Sequence, residues 1–132
     1  MKVKEIMTHG VISCGLYTPI QQVARIMAEK GISALVVLDE EGALAGVVSQ
    51  TDLVNIRVHE DYWEHWQGLS AKHIMTKDVV TISPEASIEE AARLMKTHGI
   101  HRLVVIQEQQ GKEIPIGIVS MTDIVREMAK GE

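Results

Sequence analysis

A chain of 132 residues, 45% of them hydrophobic, has room for one compact domain or two small ones around a shared core. Its apolar residues come in short Val/Ile/Leu runs, far from the roughly 18 continuous ones a membrane span needs, and "MKVKEIMTHG" opens without an apolar leader. A net charge of −5 argues against a module held to nucleic acid by phosphate electrostatics, and the single cysteine, Cys14, excludes an internal disulfide and points to a reduced, cytoplasmic setting.

Taken in order, "KEIMT" at 4–8 precedes "TPIQQVARIMAEKG" at 18–31, which is helical by its apolar spacing at Ile20, Val23, Ala24, Met27 and Ala28. Thr18 is expected to be its N-cap, with Pro19 at the first helical position and Gly31 at its end. "ALVVL" at 34–38 is a buried β-branched strand. "DEEGALA" turns into a second strand, "GVVS", and "QTDLVNIRV" begins a closing helix. The stretch "RVHEDYWEHWQGLS" follows, with Tyr62, Trp63 and Trp66. Rings here suit packing over a seam between halves, or an oligomer contact.

The same order then repeats. "KHIMT" answers "KEIMT" at a shift of 68, and "AARLMKTHGIHRLVVI" (91–106) answers "VARIMAEKGISALVVL" (23–38) without a gap. "SIEEAARLMKTHG" is the second helix, with Ser87 as its cap, and "RLVVI" the second buried strand. "QEQQGKEIPI" at 107–116 is expected to be a turn carrying three extra residues before the strand "GIVS", and "MTDIVREMAK" the last helix. Repeat one is assigned to 1–57, a linker to 58–70 and repeat two to 71–132. The class is α+β. Neither copy alone covers the apolar face of its sheet, and two copies packed sheet to sheet would.

The two sentences "GVVSQTD" (46–52) and "GIVSMTD" (117–123) carry the chemistry. Ser49 with Asp52 and Ser120 with Asp123 fit a capping box, as do Thr18 with Gln21 and Ser87 with Glu90. The same parts suit a nucleotide: free N–H groups at a helix start attract phosphate, and a nearby carboxylate accepts hydrogen bonds from a ribose diol. Other groupings are weaker. His59 and His65 are six apart, not the four of a helical zinc pair, so no metal is expected. His98 lies in a last helical turn, favourable for a cation. Cys14 has no local base. Met27 and Met95 belong to the core, and Arg25 and Arg93 to the surface. With no P-loop, GxSxG or HExxH motif, no enzyme is expected.

The paired pattern "KEIMT…GISALVV…GVVSQTD" and "KHIMT…GIHRLVV…GIVSMTD" resembles a tandem pair of cystathionine-β-synthase (CBS) domains, a Bateman module, over nearly the whole chain. The resemblance implies two β-α-β-β-α repeats packed by their sheets with approximate two-fold symmetry, leaving clefts for AMP, ADP, ATP or S-adenosylmethionine. It implies a stand-alone regulatory module, a homodimer formed through the helices, and a regulated partner on another chain. The alternative is a dimerisation scaffold with degenerate clefts. Carried over by resemblance, Asp52 and Asp123 are the ribose-binding acids; Ser49, Thr51, Ser120 and Thr122 are phosphate-side hydroxyls. One site would join Ser49, Thr51 and Asp52 to Val80, Thr81, Ile82 and Pro84, with Ile100 near the base and His101 and Arg102 near phosphate. The other would join Ser120, Thr122 and Asp123 to Ile12, Ser13, Cys14, Ile32, Ser33 and Ala34. The copies differ: "GIHR" in the second is "GISA" in the first, and Leu16 stands where Pro84 would be matched. Arg reads phosphate with two donors and Ala with none. Unequal sites are therefore expected, the cleft reached by Arg102 favouring a phosphorylated ligand; which aspartate shares it depends on the packing.

Overall fold

A computed structural model describes residues 1–131, except the side chains of Tyr62 and Trp63. The chain order is helix α1 (Val3–Ile6), strands β1 (Thr8–His9) and β2 (Ser13–Gly15), helix α2 (Ile20–Lys30), strands β3 (Ala34–Leu38) and β4 (Leu44–Ser49), then helices α3 (Gln50–Val58) and α4 (Glu60–Glu64). After a 3-10 turn at Trp66–Gly68 come α5 (Ala71–Ile74), β5 (Thr81–Ile82), α6 (Ile88–His98), β6 (Arg102–Gln109), β7 (Lys112–Ser120) and α7 (Met121–Met128). The class is mixed α and β with two sheets, as expected.

The compact units are offset from the sequence repeats. One unit is continuous, Ile12–Asp78; the other is discontinuous and joins Met1–Val11 to the residues from Val79 onward. In the continuous unit the sheet order is β2-β3-β4, with β2 parallel and β4 antiparallel to β3. Thr76 lies beside the outer edge of β4, exchanging both backbone hydrogen bonds with Val47 at 2.9 and 3.0 Å. In the discontinuous unit the order is β1-β7-β6-β5, and β1 takes the place that Thr76 holds in the other. The "IMT" segment of each copy is thus built into the unit that carries the other copy's hairpin. Four or five residues of local pattern do not say which sheet edge will receive them.

The glycines that open "GVVS" and "GIVS" follow from this exchange. A Cβ on Gly46 would lie 2.7 Å from the Thr76 carbonyl oxygen and 2.8 Å from Met75 Sδ. On Gly117 it would lie 2.5 Å from the Thr8 carbonyl oxygen and 3.0 Å from Met7 Sδ. Only a bare backbone lets the incoming strand and its methionine come so close.

Each unit has its own core. Val23, Met27, Leu35, Val37, Val48 and Ala71 form one; Val3, Met7, Ile82, Ala91, Met95, Leu103, Val105 and Val119 form the other. Val36 and Val104 point to the opposite sheet faces and are also buried, which explains why these strands read as continuous apolar runs. Each fully buried aliphatic side chain is worth about 1.5–3 kcal/mol over leaving it in water.

Three local expectations need correction. Thr18 does not cap α2: Pro19 occupies the N-cap without a side-chain bond, and Thr18 Oγ1 instead accepts from the Gly15 N–H at 3.0 Å. Ser87 does cap α6, accepting from the Glu90 N–H at 3.0 Å, but Glu90 does not complete the box. Residues 107–116 are not a turn. β6 runs to Gln109 and β7 starts at Lys112, joined through Gln110 and Gly111, both with φ > 0. A bulge between Val105 and Ile106 sets the register of this longer hairpin. Gly31 and Gly99 end α2 and α6 in the left-handed conformation, as expected. No helix among the described residues is long and apolar enough to cross a membrane.

Candidate functional site

The two Gly-to-Asp sentences build the same turn twice. β4 runs straight into α3, and β7 into α7, with Ser49 and Ser120 as N-caps in extended conformation. In the continuous unit the Ser49 N–H donates to Asp52 Oδ2 at 2.8 Å, and the Asp52 N–H donates to Ser49 Oγ at 3.2 Å. In the discontinuous unit the Ser120 N–H donates to Asp123 Oδ2 at 2.8 Å, and the Asp123 N–H donates to Ser120 Oγ at 3.2 Å. Both are complete capping boxes. Aspartate is long enough to reach back, and in doing so it fixes the direction of its second oxygen.

The neighbouring strand completes each turn. Ala34 is paired with Ser49, and Arg102 with Ser120. The Gln50 N–H donates to the Ser33 carbonyl at 3.0 Å, and the Met121 N–H donates to the His101 carbonyl at 2.9 Å. The "GIS" and "GIH" stretches are thereby tied to the first turn of the closing helix. This leaves the N–H groups of Thr51 and Thr122, exposed residues one position further on, at the start of each helix.

Within the continuous unit the structure gathers Ser49, Thr51 and Asp52 with Ile32, Ser33 and Ala34. Ser13 and Cys14 lie one strand further away, opposite Val36 and Val37, and the Ile12 carbonyl accepts from the Val36 N–H at 3.3 Å. Within the discontinuous unit it gathers Ser120, Thr122 and Asp123 with Ile100, His101 and Arg102. Thr81 and Ile82 lie opposite Val104 and Val105, and Val80 precedes them. Pro84 sits on a loop held by the opening segment: its carbonyl accepts from the Lys4 N–H at 3.0 Å and the Ala86 carbonyl from the Val3 N–H at 2.8 Å. His101 and Arg102 are exposed; Ser33, Ala34 and Cys14 are half-buried.

The turns differ in what else touches the carboxylate. Arg126 Nη1 donates to Asp123 Oδ1 at 3.2 Å, and Ser120 Oγ lies 3.0 Å from Asp123 Oδ2. At the equivalent of Arg126 the first copy has Asn55. The Asp123 side chain is 9% exposed. Sequence reasoning missed Arg126, although an acid and a base three apart at a helix start are a readable pair. Burial pushes the Cys14 thiol up, and contact with Thr18 only partly opposes it; a reactive thiol needs the reverse. Among the described residues no three His, Cys, Asp or Glu side chains converge as a metal site. Trp66 is half-buried; the side chains of Tyr62 and Trp63, from which an aromatic seam or contact was expected, lie outside the described residues.

The CBS domain profile matches this chain twice, over residues 3–59 and 71–130. The chain belongs to the CBS domain family. Among proteins similar to it, an uncharacterized protein of Methanopyrus kandleri is 30% identical over 126 residues, covering 96% of this chain and 62% of the relative. The solved structure of CBSX2 in complex with AMP shares 26% identity and a TM-score of 0.82, covering 98% of this chain and 96% of that one. A CBS domain pair solved in complex with 5′-methylthioadenosine and S-adenosyl-L-methionine has a TM-score of 0.82 at 22% identity, covering 100% of this chain and 98% of that one; at that identity the likeness is one of fold. The chain spans between 23% and 62% of the length of the curated relatives it matches.

Proposed function

We propose that this CBS domain pair is a cytoplasmic regulatory module that senses an adenosine-containing ligand, AMP, ADP or ATP, with S-adenosylmethionine as a further candidate. The observation that carries the reading is the twin strand-to-helix turn. Each copy presents a carboxylate with a fixed direction beside a helix N-terminus, the two groups that a ribose diol and a phosphate require. The binding of AMP by CBSX2, similar over nearly its whole length, supports it. Asp52 and Asp123 act as ribose hooks and Ser49, Thr51, Ser120 and Thr122 as phosphate-side groups. Arg102 reads phosphate, and the apolar residues named with them take the base. Signalling is by differential binding: the ligand favours one arrangement of the module, and a partner protein reads that shift.

The test is thermal unfolding of nucleotide-stripped protein with each ligand, on wild type, Asp52→Ala and Asp123→Ala. A ligand at about 100 times its Kd adds about 2.7 kcal/mol, several degrees in Tm. The reading requires one ligand to shift the wild type and at least one aspartate variant to lose that shift. No shift with any of the four ligands refutes it.

A second reading, a dimerisation module, has its own observation. Val54 and Val58 on α3 are 60% and 74% exposed, and Met121, Val125 and Met128 on α7 are 41%, 62% and 69% exposed. These spacings of three and four make an apolar stripe on each helix. We infer a homodimer through these helices; sedimentation as a monomer at micromolar concentration refutes it.

A further inference from the structure

The two hooks share one backbone hydrogen bond on Oδ2 and differ in what else holds the carboxylate. A carboxylate has about four acceptor positions, two on each oxygen. Asp123 accepts from the Ser120 N–H and the Ser120 hydroxyl on Oδ2 and from Arg126 on Oδ1. Asp52 accepts only from the Ser49 N–H, on Oδ2, and its Oδ1 has no partner among the described residues. A ribose diol donates two hydrogen bonds. Asp52 can accept both with its capping box intact. Asp123 has one position left, so a diol arriving there must displace Arg126 or turn the Ser120 hydroxyl away.

We propose that Arg126 is a latch on the second hook, so that Asp52 takes the ribose first and Asp123 takes one only when Arg126 lets go. Asn55, in the same position of the first copy, leaves Asp52 Oδ1 open. The inference rests on the nucleotide reading above and adds to it an order of use and the residue that sets it. It also gives the divergence of the copies a cause. The copy that supplies Arg102 is the copy whose own hook is latched.

Arg126 is 65% exposed on its side chain, so the latch is weak: an exposed pair is worth up to about fivefold in an equilibrium constant. The experiment therefore isolates each hook and uses AMP and 2′-deoxy-AMP as probes in calorimetric titration. In an Asp52→Asn background, Arg126→Asn is expected to tighten AMP about threefold while 2′-deoxy-AMP, which needs only one acceptor position, changes less. In an Asp123→Asn background, Asn55→Arg leaves Asp52 two acceptor positions, because the Ser49 hydroxyl does not hold it as the Ser120 hydroxyl holds Asp123, so AMP affinity and the preference for AMP over 2′-deoxy-AMP are expected to change less than with Arg126→Asn. If Arg126→Asn leaves AMP affinity unchanged, or moves both probes equally, the latch is wrong while the nucleotide reading stands. If neither the wild type nor any variant binds AMP, the latch falls, and the nucleotide reading falls with it only where ADP, ATP and S-adenosylmethionine also fail to bind.

Discussion

Replacing Gly117 by alanine tests the claim that the exchanged segments dictate the glycines. The new Cβ would stand 2.5 Å from the Thr8 carbonyl oxygen and 3.0 Å from Met7 Sδ. Met7 could turn away, but Thr8 is backbone, held in the β1–β7 ladder opposite Ile118. The strain is relieved only if β1 lifts from β7, and that movement draws on Val3 and Met7, 0% and 8% exposed. Overpacking of this kind costs about 1–3 kcal/mol; because a backbone atom is the obstacle, the upper half of that range is expected, a fall in Tm of roughly 6–12 °C. Gly46→Ala should behave alike, with the Thr76 oxygen at 2.7 Å. Gly68→Ala is the control, since nothing lies within 4 Å of its Cβ; it should change stability by less than about 1 kcal/mol. Circular dichroism gives Tm, and amide exchange follows the Gly10 N–H, bonded to the Ile116 carbonyl at 2.7 Å. A Gly117→Ala protein that melts with the wild type and protects Gly10 equally would refute the reasoning.

Leu103→Ala should destabilise by about 2–5 kcal/mol in denaturant unfolding, because Leu103 is 1% exposed in its core. Ser120→Ala, in the absence of ligand, should cost about 1 kcal/mol by loss of the cap. The Glu85 carboxylate is held at about 2 by hydrogen bonds from Lys2 and Lys4, at 2.7 and 2.9 Å. A depressed acid adds stability above its unfolded pKa and loses it as pH falls through the folded one. The difference in Tm between wild type and Glu85→Gln should therefore be small, greatest near neutral pH, and vanish as pH drops from about 4.5 towards 2. Cys14, with its thiol pushed up, should react with iodoacetamide at pH 8 more slowly than a free cysteine, and a faster reaction would contradict its burial.

Much of the architecture was legible because the chain repeats it. Apolar spacing placed α2 and α6, the Val-rich runs placed β3 and β6, and the Gly-to-Asp sentences placed both boxes. What the pattern did not carry is non-local. The short helices α1 and α5 have too few residues for a period to register. Their "IMT" tails look alike, and the backbone pairing of Thr8 with Ile118 and of Thr76 with Val47, with the close approach at Gly117 and Gly46, shows where they dock. Thr18 looked like a cap because caps are read from residue type; its hydroxyl had a nearer donor in the Gly15 N–H. The β6–β7 hairpin outruns its core, so its polar residues at 107–113 read as a turn. At the site the paired acids are legible because the motif repeats them, whereas Arg126 stands in one copy only, opposite Asn55 in the other, and reads as an ordinary exposed helix cation until its bond to Asp123 is seen.

The discontinuous unit sets an order on folding. On a ribosome residues 12–78 emerge before the second part of the discontinuous unit has been made. Residues 1–11, synthesised before them, have nowhere to go. Val3 and Met7 must stay in water, or be sheltered, until β6 and β7 have been synthesised and return to cover them. Residues 1–11 are thus translated well before the strands that bury them, and a nascent chain stalled before residue 120 would carry an unpaired β1 and two exposed core side chains.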